Sequence, residues 1–216
     1  MGMCCPGSPS IKEDTIAIPL NENLSKQFSH SDIFTKEDIE TILKQIVFTE
    51  YNTKLYEKRK LQGQRAQAVK VEVGKKYLEL MKDTKKLQRE NFRVVEEQVL
   101  NKLSINPENY QSAKVSLNIK EIEDSVLKTL LKAIRDTQSK LGITDTIAND
   151  LINSYHQTYH KANFLMNSKP ELAMSLSELF QEEFASNYLD VLIADLLYDK
   201  YKLLPIEVLA FVDGTY

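Results

Sequence analysis

Three groups of residues have types and spacings that bear on chemistry. The first is His156-Gln-Thr-Tyr-His160, two imidazoles four apart and so on one face of a helix, the spacing a zinc site uses. The metalloprotease pattern needs a Glu beside its first His, and Gln157 stands there. The remaining histidine, His30, is remote, so no third ligand is evident, and no metal or other cofactor is expected. His156 and His160 read as helix-surface histidines flanked by core tyrosines.

The second group is Gly2-Met-Cys4-Cys5. A glycine exposed by methionine removal and a cysteine pair suggest acylation at Gly2, Cys4 and Cys5. The myristoylation signal, however, wants Ser or Thr at the sixth position, where this chain has Pro6. Two acyl chains hold a protein on a membrane where one does not, so palmitoylation of both cysteines would define a peripheral membrane protein.

The third group is the carboxylates Glu182, Glu183, Asp190, Asp195 and Asp199. Di-iron bundles need Glu-x-x-His motifs on two helices, and this chain has none. These acids are expected on solvated faces or as salt-bridge partners. Glycine-rich phosphate loops are missing, and no Ser or Cys comes with a plausible base. The chain is therefore expected to be non-enzymatic, with no small-molecule substrate.

Charge is the remaining chemical signal. Residues 51 to 102 hold 14 basic and 7 acidic side chains, whereas residues 171 to 216 hold 2 and 9. The net charge of -3 conceals this sorting. The basic face expected to bind a partner comprises Lys58, Arg59, Lys60, Arg65, Lys75, Lys76, Lys82, Lys85, Lys86, Arg89 and Arg93. A solvated helix face, or ion pairing with the acidic end of the same chain, would also account for such a run. A partner for it would be an acidic protein surface, a microtubule-type filament for instance, or an anionic membrane. Nucleic acid is disfavoured because the stretch has few aromatics to stack on bases and the chain's pI is about 5.7.

These residues need helices to position them. With 6 Gly and 6 Pro in 216 residues, three of the prolines before residue 20, most of the chain is free of helix breakers. The first 30 residues, rich in Pro, Ser, Gly and Asn, are expected to form a disordered tail, and residues 31 to 216 a helical domain. Thr35-Lys-Glu-Asp38 caps a helix over 35 to 62, with apolar residues at Ile39, Ile42, Leu43, Ile46, Val47 and Tyr51 and a stop at Gly63. A long basic helix is expected over 64 to 102, bent near Gly74 or projecting. Its seam of Ala66, Val69, Val73, Tyr77, Leu80, Leu87 and Val94 is partly coiled-coil-like, with Thr84 and Asn91 as polar gaps.

Three core helices should follow within 119 to 204. Ile119 to Leu141 closes at Gly142, and a second begins at Thr144 or Asp145 and carries Ile147, Leu151, Ile152, Tyr155, Tyr159 and Phe164. The third, Leu176 to Leu204, is apolar nearly all round between Leu189 and Leu197. Its apolar run of about 9 residues is far short of the roughly 20 that span a bilayer. Ile206 to Val212 should pack on the rest. The expected fold is all-α, an antiparallel helical bundle with one long basic helix. Adjacent cysteines offer no disulfide framework and no secretory signal is evident, so a cytoplasmic protein, associated with cytoskeleton or membrane, is expected.

Overall fold

The computed structural model describes residues 34–180 and 187–213, which form nine helices and no strands. The fold is all-α. Gly2, Cys4 and Cys5 lie outside the described residues.

Helix α1, Lys36–Asn52, begins where its cap directs. The Thr35 hydroxyl accepts from the Asp38 amide at 3.2 Å, and the Asp38 carboxylate accepts from the Thr35 amide at 3.0 Å. This reciprocal pair satisfies two amides that the first turn leaves without helical partners. The helix does not run on to residue 62. Lys54 takes a left-handed conformation, φ 56°, and redirects the chain into α2, Leu55–Val71. Gly63, the expected stop, lies inside α2. The second break falls at residues 72 to 74, so the long basic helix starts only at Lys75. Helix α3, Lys75–Lys102, is about 42 Å long at 1.5 Å per residue.

Asn106 accepts from the Glu108 amide at 2.8 Å and Pro107 occupies the first turn of α4, Pro107–Ser116. Helix α5, Ile119–Lys140, ends at Gly142, whose φ of +111° suits a residue without a Cβ. Thr144 caps α6, Asp145–Asn167. The expected third core helix is two helices, α7 over Pro170–Leu179 and α8 over Tyr188–Tyr201. The new start is encoded by Asn187, whose side chain accepts from the Leu189 and Asp190 amides at 2.9 and 3.1 Å. Helix α9, Pro205–Val212, closes the described chain.

Two apolar clusters form the interior. One joins α1, the C-terminal half of α3, α4 and α5 around Ile39, Ile42, Ile46, Val95, Ile122, Val126 and Ile134. The other joins the end of α2, the N-terminal half of α3, and α6, α7 and α8 around Tyr77, Met81, Leu151, Ala162, Leu176, Leu192 and Ile193. Helices α3 and α9 contribute to both, Ala210 to the first and Val208, Phe211 and Val212 to the second. Helix α3 therefore lies along the body and does not project. Its buried side chains are Tyr77, Met81, Lys85, Asn91, Val95, Val99 and Leu100, so the expected seam is displaced by one residue at both Leu80 and Val94. Val94 is 43 % exposed. No helix among the described residues is long and apolar enough to cross a membrane.

Candidate functional site

The cations of residues 54 to 93 separate into two populations, and the turn at residues 72 to 74 divides them. On α2, Arg59, Arg65 and Lys70 are engaged by the acidic C-terminal part of the same chain, and Lys58 by Glu50 of α1. Arg65 is only 2 % exposed, and its guanidinium forks onto Asp195 of α8, Nε to Oδ2 at 2.8 Å and Nη2 to Oδ1 at 2.9 Å. Tyr77 Oη donates to the same carboxylate at 3.0 Å, and Arg65 Nη1 donates to Thr84 Oγ1 at 2.8 Å. Burial pushes the Asp195 carboxyl upward, and the guanidinium and the phenol pull it back. For the pair as a whole, two charge-assisted bonds plus the phenol hold it ionised. The Tyr77 phenol is raised well above its ordinary value, by burial first and then by the Asp195 charge.

A second buried carboxylate, Glu207 of α9, is fully enclosed. It accepts from Tyr51 Oη at 2.9 Å, Arg59 Nη2 at 2.8 Å, Gln138 Nε2 at 3.0 Å and the Leu204 amide at 2.6 Å. Helices α1, α2 and α5 are thereby tied to the N-terminus of α9. Lys58 pairs with Glu50 at 2.7 Å, and Lys70 pairs with Asp199. Arg59 and Arg65 are thus internal struts. Counting Arg65 on a partner-binding surface is corrected by its burial, since a guanidinium already forked onto a carboxylate has no solvent-facing donors to offer.

Helix α3 holds the other population. Lys75, Lys82, Lys86, Arg89 and Arg93 are all exposed, and at 3.6 residues per turn they fall within an arc of about 60°. From Lys75 to Arg93 the stripe is about 27 Å long. Among the described residues none of these five has a carboxylate within ion-pairing distance. Glu79, Asp83, Glu90 and Glu97, also exposed, flank the stripe on one side. Lys60 and Lys76 are exposed but lie off this line. Lys85 is a second correction: it is 2 % exposed, and its ammonium sits 3.5 Å from the centre of the Phe180 ring, a cation–π contact inside the structure.

Beside the stripe a groove of about 490 Å³ opens between α3 and the α1–α2 turn. Leu43, Val47, Leu61, Phe92 and Ile206 contribute its apolar walls, and Gln88, Arg89 and Arg93 lie along its α3 edge. No local spacing signals this groove, because its walls come from α1, α2, α3, α5, α8 and α9, which only the fold brings together.

His156 is half-buried and His160 exposed, each edge-on to the preceding tyrosine ring at 6.0 and 5.9 Å between centroids. Among the described residues no three His, Cys, Asp or Glu side chains converge as a metal site would require. Asp190 serves locally, accepting from Tyr155 Oη at 2.6 Å and closing the α8 cap. Compared with protein-family models, with curated proteins and with solved structures, the chain matches none.

Proposed function

We propose that this is a non-enzymatic intracellular adaptor that seats the α3 stripe on an acidic protein surface, within a cytoskeletal assembly of the microtubule type. The observation that carries the reading is the contrast between neighbouring helices. Arg59, Arg65 and Lys70 of α2 are taken up by Glu207, Asp195 and Asp199, whereas Lys75, Lys82, Lys86, Arg89 and Arg93 are aligned and have no ion-pair partner among the described residues. A solvated face needs no such alignment; a linear row of like charges raises local potential and matches a partner carrying the opposite row. Because α3 contributes to both apolar clusters, the row is held rigidly, which lowers the ordering cost of docking.

Salt dependence of binding tests the reading. In cosedimentation with polymerised microtubules, bound protein should fall steeply as ionic strength rises from low salt to several tenths molar, because exposed charges are screened over about 8 Å at physiological salt. Binding indifferent to salt would sink the proposal. The peripheral-membrane reading rests on Gly2, Cys4 and Cys5; hydroxylamine-sensitive acyl label on Cys4 or Cys5 in cells is the result that would favour it.

A further inference from the structure

We propose that the groove beside α3 binds a single-chain anionic amphiphile, with its alkyl chain along the apolar walls and its acidic head on Arg89 and Arg93. The groove shares Arg89 and Arg93 with the docking row, whereas Lys75, Lys82 and Lys86 lie outside it, so variants of those three lysines separate the two readings. Along α3 the lining runs from Met81 to Glu96, about 22 Å at 1.5 Å per residue. Leu130 of α5, Val191 of α8 and the Leu204-Pro205-Ile206 segment close the back. The space lies where the two apolar clusters part, between the turn at Lys54 and the middle of α3.

The groove's 490 Å³ is within the range of small-molecule pockets, roughly 300–1,000 Å³. Its apolar walls and length suit a single extended alkyl chain. Charge then decides the head. Of the carboxylates in the lining, Glu50 is engaged by Lys58 at 2.7 Å and Glu96 by Lys114 at 3.4 Å. Arg89 and Arg93 have no such partner among the described residues. Two guanidinium forks at one edge match a carboxylate or a phosphate monoester, each able to accept paired N–H donors. Glu123, a lining carboxyl raised above its ordinary range by burial, lies near Lys114 and so towards the Glu96 end of the groove.

The test uses the full chain, expressed in bacteria and stripped of lipid, titrated calorimetrically with laurate, decanoate and dodecanol below their aggregation concentrations. Expected is one saturable site, with affinity falling roughly fourfold for each methylene removed. Laurate should bind at least tenfold tighter than dodecanol. Arg89→Glu with Arg93→Glu should erase that preference while dodecanol still binds. Gln88→Trp, an exposed position on the lining, should fill the groove and abolish both with an unchanged melting temperature. Vesicles containing lysophosphatidate, bound with the same Gln88→Trp sensitivity, would identify a membrane lipid as the source; laurate binding without vesicle binding would identify a free fatty acid. Absence of a saturable site, binding that ignores chain length, or binding that survives Gln88→Trp would each overturn the proposal, as would an acidic helical peptide that binds at the Gln88→Trp-sensitive site where laurate does not.

Discussion

Arg65 and Asp195, 130 residues apart in sequence, form a two-pronged ion pair in the interior, with both bonds shorter than 3 Å. Such a pair is asymmetric in energy. Removing one partner leaves a buried charge without compensation, at about 3–5 kcal/mol, whereas replacing the whole set with well-packed apolar residues is often neutral. Arg65→Ala and Asp195→Ala should therefore each lower the urea midpoint strongly. Arg65→Met combined with Asp195→Leu and Tyr77→Phe should recover most of the loss. Additive losses in the combined variant would show that the pair stabilises outright.

Glu207 gives a graded version of the same logic. Tyr51→Phe removes one of its donors and leaves the carboxylate with Arg59, Gln138 and the Leu204 amide, so a cost of about 1 kcal/mol is expected. Glu207→Ala strands all of these donors together and should cost about 3–5 kcal/mol. Equal effects in chemical denaturation would mean that the carboxylate does not organise the α9 junction.

Buried phenols predict the alkaline limit of stability. Tyr51, Tyr77 and Tyr110 are each raised above the ordinary tyrosine value, with burial the first cause in all three. A raised folded value means the folded protein keeps protons that the unfolded chain gives up near pH 10. Stability from this source is fully present below pH 10 and is lost as pH rises further. Three such groups give a slope of about 4 kcal/mol per pH unit. Absorbance at 295 nm should show these three ionising only with loss of helical circular dichroism; ionisation in the folded protein would refute the burial.

Helix content and the starts of α1, α5 and α6 were legible because they are local. Thr35 and Thr144 cap where their side chains can reach amides, and Gly142 ends α5 where only a positive φ serves. The break at Lys54 was not legible, since a lysine in a left-handed conformation carries no breaker signature; the start at Tyr188 has a local signal in the Asn187 cap, which the long apolar run around it outweighed. Phe164 belongs to the apolar pattern of α6 yet is 78 % exposed, for the 3.6 period marks a face without saying how much of it is covered. Thr84 and Asn91 stood out as polar gaps in an apolar seam. Thr84 is now explained by Arg65, which needs an acceptor there. A polar residue due at a core position, together with Asp195 in an apolar run, is the available trace of the internal pair; salt-bridge pairing of Asp195 was among the expectations, and what its spacing does not name is Arg65 as the partner.

Geometry and bulk charge make different predictions for the α3 stripe. Lys75, Lys82 and Lys86 are exposed, aligned and outside the groove, so reversing all three to Glu should leave stability within about 0.5 kcal/mol per site. It should also place acids where an acidic partner must approach. Lys60, Lys76 and Lys132 are likewise exposed but off the stripe, and reversing them changes net charge by the same amount. If a row of charge matched to the partner is what binds, the first triple variant should lose most microtubule cosedimentation at low salt and show little remaining salt dependence. The second should stay close to the unmodified protein, because charges off the row are not matched to the partner's row and act only through a screened field. Equal losses in the two would reduce the interaction to non-specific attraction, and no loss in either would remove α3 from the binding surface.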